Sequence, residues 1–192
     1  MSNQGFFSHA FSYPISKILF LALVISLTIF AFSYLITPQY CSESKALISL
    51  KDKNLDSYRV SETSNRNALI LVKLVETKDF LREVLNKTGV EFSEKDLYNG
   101  YSKKISASSE KDSSIIELKT CASTASLAQK LNQKSLEILQ IKANSLLKDT
   151  SMEIIDPSSL PLRPIFPKPF LQAIIAFFFV FILGVLYYVN IE

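Results

Sequence analysis

Near its C-terminus the chain reads Ile154-Ile-Asp-Pro-Ser-Ser-Leu-Pro-Leu-Arg-Pro-Ile-Phe-Pro-Lys-Pro169 and then continues into an uncharged apolar segment, 170–189. Proline fixes φ and removes a backbone donor, so the five prolines of 157–169 predict a stiff, extended strap. The twenty residues that follow are long enough, at about 1.5 Å each, to cross the roughly 30 Å hydrocarbon core of a bilayer. We therefore expect a folded domain upstream, joined by the strap to a transmembrane helix.

A second uncharged apolar run, 18–36, lies near the N-terminus. The alternative interpretation is a secretory signal peptide, whose apolar region usually spans about 7–15 residues and ends at a small-x-small cleavage site. This run has nineteen residues, and its one candidate triplet, Ala31-Phe-Ser33, lies inside it. We interpret the run as a first transmembrane helix that Pro38 ends, with residues 1–17 as a short tail and 190–192 as the opposite terminus.

The 133 residues from 37 to 169 are enough for one small domain. They contain 20 of the 21 Lys+Arg and 17 of the 18 Asp+Glu, so both signs are mixed and no basic stripe suits nucleic acid. The positive-inside rule loses its force for loops longer than about 60 residues, so the charge distribution does not determine the topology.

Within this loop the pattern of apolar residues predicts an α+β domain over 37–156, with helices on one face of a small sheet. The order of elements is β-α-α-β-β-α-β, and the helical part 66–87 has a break near Thr77 and an end at Gly89. The predicted strands are 40–50, 102–108, 114–120 and 152–156, the long second helical region is 124–147, and 51–64 is a polar loop.

The long predicted helix has two apolar stripes, where a single stripe would satisfy one core. A thick core and a contact with another copy of the chain both explain the second stripe. The candidate residues of an oligomer face are Leu127, Leu131, Ile138, Leu139 and Leu147.

The residues available for catalysis are few. His9 is the only histidine, and none of the four glycines lies in a phosphate-binding loop motif. The carboxylates stand among lysines at spacings typical of a solvated surface. We therefore predict a protein that is not an enzyme, without a cofactor, a metal site or catalytic residues.

Cys41 and Cys121 are the only cysteines. They could form one disulfide, which would require an oxidising compartment, or they could be two ordinary small apolar residues. Both fall at the ends of predicted strands, and the sequence leaves the two interpretations open.

Two segments resemble the chain-length determinant family, the Wzz-type polysaccharide co-polymerases that include the capsular polysaccharide membrane adaptors. The first is Leu-Ile-Thr-Pro-Gln-Tyr40 followed by the strand that ends at Leu50, and the second is the proline-spaced stretch before the second apolar helix. The residues that match the family pattern are Pro38, Tyr40, Pro161, Pro164 and Pro167.

This resemblance implies a multi-pass protein of the bacterial inner (plasma) membrane, with both termini cytoplasmic and the domain periplasmic or extracytoplasmic. It implies a homo-oligomeric ring that touches membrane lipid and acts with a polymerase and a lipid-linked glycan. Such proteins set the chain length of an O-antigen, capsule or exopolysaccharide. The sequence given stops three residues after the second apolar run, so we expect no kinase module, and a separate tyrosine kinase is a candidate partner. The alternative function is a two-helix membrane sensor or signalling adaptor with an extracytoplasmic ligand-binding domain.

Overall fold

The computed structural model describes residues 5–50, 57–93, 97, 100–101, 104–110, 113–147 and 149–191. It divides into two compact units. One combines Met1–Thr37 with Phe166–Glu192, and the other is Pro38–Ile165.

The first unit contains helices α1 (Gly5–Ser33) and α5 (Pro169–Ile191). Both are long and apolar enough to cross a membrane, over Ser16–Ser33 and Pro169–Val189. The two predicted apolar helices are therefore present, with the length and composition that a membrane span requires.

The limits of the first helix differ from the prediction. Residues from Gly5 onward, expected as a tail, are helical, and the helix ends at Ser33 instead of Ile36. Tyr34 N donates to Ala31 O at 3.2 Å and Leu35 N donates to Phe32 O at 3.0 Å, so the last turn tightens while the sequence is still apolar. Hydropathy marks the apolar run and does not locate the end of the hydrogen-bonded helix.

Helices α1 and α5 contact each other through small and polar residues. Ser26 Oγ donates to Ala173 O at 2.9 Å, and Ser33 Oγ donates to Gln172 Oε1 at 2.7 Å. Gly184 faces Ile18, whose Cγ2 would lie 2.5 Å from a Cβ added at the glycine. Small residues that allow two helices to approach closely, with hydroxyl groups bonding across them, are typical of helix pairs in lipid.

The second unit is the predicted α+β domain, and the order β-α-α-β-β-α-β is confirmed for the described residues. Its four strands form one antiparallel sheet in the order β2-β3-β1-β4, the split β-α-β arrangement of ferredoxin-like folds with one helix added. The elements are β1 (Tyr40–Leu50), α2 (Ser57–Val75), α3 (Lys78–Thr88), β2 (Ile105–Ser108), β3 (Ile115–Ala122), α4 (Ala125–Leu146) and β4 (Thr150–Asp156).

The break between α2 and α3 is where the sequence predicts it. Thr77 Oγ1 accepts a hydrogen bond from Phe80 N, and Gly89 ends α3 with φ at 73°. The predicted loop 51–64 is wrong from Ser57 onward, because α2 begins there, while 51–56 lie outside the described residues. The first turns of α2 bury Ser64 and Asn67, two polar residues that give no apolar signal. Asn67 Nδ2 donates to Thr150 Oγ1 at 2.9 Å, which satisfies that amide nitrogen.

The core lies between one face of the sheet and the helices. Helices α2 and α4 pack on the sheet, and α3 packs on α4. Asn132, fully buried on α4, donates from Nδ2 to Ser42 O at 3.1 Å and to Leu118 O at 3.0 Å. These two bonds fix α4 across β1 and β3.

The interpretation of Leu131, Ile138 and Leu139 as part of an oligomer face is wrong. Leu131, Ile138 and Leu139 are completely buried in the core of the protomer, and Leu127 and Leu147 are partly buried against the same core. The second apolar stripe exists because α4 has the sheet on one side and α3 on another. Of the two explanations that the sequence left open, the thick core is correct.

Candidate functional site

The open face of the sheet displays a ladder of paired side chains from β1 and β3. Because side chains alternate between the two faces of a strand, every second residue of β1 lies on this face. The antiparallel register places three pairs on it, namely Cys41 opposite Cys121, Glu43 opposite Lys119, and Lys45 opposite Glu117.

A disulfide joins Cys41 to Cys121 across a sequence separation of 80 residues, with their Cα atoms 4.0 Å apart. Cys121 N donates to Lys104 O at 2.7 Å, on the side of β3 that faces away from β1. The two cysteines are therefore a pair without mutual backbone hydrogen bonds, the type of antiparallel pair in which side chains lie closest. The structure thus selects the disulfide from the two interpretations that the sequence left open.

The two charged pairs continue the ladder. Lys119 Nζ lies 2.7 Å from Glu43 Oε1, and the Lys45 ammonium donates a hydrogen bond to Glu117. Each side chain is about half exposed, so neither pair adds much to the free energy of folding. Opposite charges directly across two strands do favour this register over one shifted by a residue.

The ladder leads to a titration experiment. The hydrogen bond to Glu117, followed by the charge of the same carboxylate, raises the pKa of Lys45 above 10.5. This favourable interaction is fully present below 10.5 and is lost as the pH rises through the raised pKa. We expect Glu117→Gln to bring the Lys45 pKa back towards 10.5, measured by NMR of the lysine side-chain resonances. Glu43→Gln is the matched control and should leave the Lys45 pKa unchanged; an equal shift in both variants would contradict the assignment.

The residues that match the family pattern lie where the chain enters and leaves the α+β unit. Ile165 N donates to Gln39 O at 2.8 Å, and Ser42 Oγ donates to Ser159 O at 2.7 Å. Pro38 and Tyr40 are therefore close to the strap that carries Pro161 and Pro164. Pro167 belongs to the other unit, and its peptide bond with Phe166 is cis.

A groove lies between α4 and β4, and sequence reasoning missed it. Gln129 Nε2 donates to Ser158 O and Gln140 Nε2 donates to Met152 O, both at 3.3 Å, so the two amides tie α4 to the last strand and the strap. Between them is an open cavity of about 400 Å³, which we call the edge groove. It is lined by Gln129, Gln133, Leu136, Glu137, Gln140, Ile154, Pro157 and Ser158.

Helical spacing is the signal that could have found the edge groove. Positions 129, 133, 137 and 140 are three or four residues apart, so four amide or carboxylate side chains share one face of α4. The apolar stripes indicate which faces of α4 are buried, and they carry no information about this polar face.

These surfaces carry ion pairs, one disulfide and amide side chains. Within the described part of the chain, no three His, Cys, Asp or Glu side chains converge in a way that could hold a metal ion. Among the described residues, two groups have shifted pKa values, Lys45 and Glu137, and both are solvent-accessible members of ion pairs. Salt bridges, a disulfide and amide side chains can fix a surface and hold a ligand.

Comparison with known proteins adds no identification, because no protein-family model matches the chain and no curated protein is significantly similar to it.

Proposed function

We propose that this protein is a non-catalytic membrane regulator of surface polysaccharide chain length or export. It acts as an oligomeric scaffold that holds a polymerase and its lipid-linked glycan at a bacterial inner membrane. The observation that carries the proposal is the arrangement of one disulfide-bonded α+β unit between two apolar helices, with the unit's two ends hydrogen-bonded to each other.

The disulfide supports an extracytoplasmic position for the α+β unit. Disulfides persist in oxidising compartments such as the periplasm and are rare in the cytosol. Two membrane-spanning helices would place both termini on the opposite side of the membrane from the unit between them.

The proposed subunit contacts involve surfaces other than the buried leucines of α4. Helix α2 offers Leu69 and Ile70, which are 52% and 43% exposed, whereas Ala68, Leu71 and Val75 of the same helix are buried. Neighbouring apolar residues left exposed on a helix are typical of contact surfaces. In a ring, a repeated surface of this kind would be covered by the next copy.

The proposed function is tested by deleting the gene and separating the surface polysaccharide by size on a gel. We expect the characteristic length distribution to be lost or shifted, since the polymerase would continue without its regulator. Restoring the gene on a plasmid should restore the distribution. Unchanged polysaccharide together with altered transcription would overturn the proposal and favour the membrane sensor.

A further inference from the structure

The edge groove is bounded by the free edge of the sheet. Strand β4 is the last in the order β2-β3-β1-β4, so among the described strands none pairs with its outer edge. Ile48 N donates to Ser114 O at 2.8 Å, towards β3, so its partner Met152 directs its own N–H and C=O to the open edge. Because these directions repeat every second residue, the N–H and C=O of Ile154 also point into the groove.

This edge is closed to another strand at both ends. The side chain of Gln140 donates a hydrogen bond to the carbonyl of Met152, and that of Gln129 donates one to the carbonyl of Ser158. The pairing register shifts after Ile154, so Ile155 is an extra residue that bends the strand. An added β-strand would need a longer run of free backbone groups, and blocked or bulged edges are how native proteins prevent such pairing. A short ligand is therefore a better occupant than a polypeptide.

The open part of the groove brings hydrogen-bond donors and acceptors close together. Gln133 supplies both an amide donor and an acceptor, the Ile154 backbone supplies one of each, and Glu137 supplies a carboxylate. The hydrogen bond from Lys134 lowers the pKa of Glu137 below 4.5, so this carboxylate is ionised at neutral pH. The described lining includes no cation of its own, and the Lys134 ammonium beside it is already paired with the Glu137 carboxylate, so the groove offers little net positive charge to a phosphate or another anion.

Leu136 and Pro157 add apolar surface beside these polar groups. Each hydroxyl of a sugar both donates and accepts a hydrogen bond, and the C–H face of a sugar ring is apolar. An open cavity with a few converging polar groups next to apolar walls suits such a ligand.

We propose that the edge groove binds a short, uncharged segment of a glycan, with Glu137 and Gln133 receiving its hydroxyl groups. This inference rests on the proposed function, because it assigns a position on the chain to the glycan of that function. Gln129 and Gln140 act as positioning residues that hold the strap and the strand edge open beside α4.

The test uses the full chain in lipid nanodiscs and oligosaccharides released from the surface polysaccharide of the host strain. Binding is measured by saturation-transfer NMR as the concentration of oligosaccharide is varied. The variant combines Gln133→Ala with Glu137→Ala, and the matched control combines Ser126→Ala with Asn144→Ala, two exposed positions of the same helix outside the groove. We expect binding to be weaker by roughly 30-fold or more in the groove variant and unchanged in the control, because one neutral and one charge-assisted hydrogen bond are removed.

Each other outcome overturns the inference. The groove is not the glycan site if the groove variant binds as well as the control, or if the unmodified protein binds no oligosaccharide. A groove variant that elutes as a smaller oligomer would assign the groove to a subunit contact. The gene-deletion experiment separates the two proposals: a changed polysaccharide length with normal binding by the groove variant refutes this inference alone, and an unchanged length refutes the proposed function.

Discussion

Replacing Cys41 and Cys121 together by alanine should lower the free energy of unfolding of the α+β unit by several kcal/mol. The disulfide closes a loop with a sequence separation of 80 residues, and the chain-entropy estimate for such a loop is about 4.5 kcal/mol. That is comparable with the total stability of many small domains. The measurement is urea unfolding of the full chain in nanodiscs, with circular dichroism as the signal.

A chemical control accompanies this double variant. Dithiothreitol should destabilise the unmodified protein by a similar amount and leave the double variant unaffected. A double variant that unfolds at the same urea concentration as the unmodified protein would show that the disulfide contributes nothing to stability under these conditions.

Shortening Leu139 to alanine should lower the free energy of unfolding by about 2–5 kcal/mol, the range for large-to-small changes in a packed core. Leu139 is completely buried between the sheet and the neighbouring helices, so the lost methyl groups leave a cavity. Ile141→Ala is the matched control on the same helix. Its side chain is 51% exposed, and surface substitutions usually change stability by less than about 0.5 kcal/mol.

The same pair of variants distinguishes a core residue from a subunit contact. Light scattering should give the same oligomeric mass for Leu139→Ala and for the unmodified protein under native conditions. A smaller oligomer with undiminished stability would show that Leu139 lies at a subunit contact, contrary to its position in the core.

The elements of the domain could be predicted where local chemistry decides them. Strand β1 follows from the alternation of charged residues with small or apolar ones in its first half, and the start and end of α3 follow from the capping preferences of Thr77 and Gly89. The first two turns of α2 could not be predicted, since Ser64 is the one buried position among their described side chains and it is polar. A polar residue that is satisfied only by a partner distant in sequence, as Asn67 is by Thr150, gives no local signal.

The functional surfaces were less accessible to sequence reasoning because they depend on register and packing. Cys41 and Cys121 become a pair only when β1 and β3 are aligned, and a shift of one residue would place them on opposite faces. The leucines of α4 were visible, but whether they met the core or another copy depended on the position of α3. Predicting the edge groove would have required both the strand order of the sheet and the placement of α4 beside β4.

The hydrogen bond between Gln39 and Ile165 makes the α+β unit a self-contained insertion. A module whose two ends meet can be cut out, grafted onto other anchors or lost during evolution without distorting its host, because the host need only supply two neighbouring attachment points. The α+β unit is therefore attached to the rest of the chain through two ends that lie side by side.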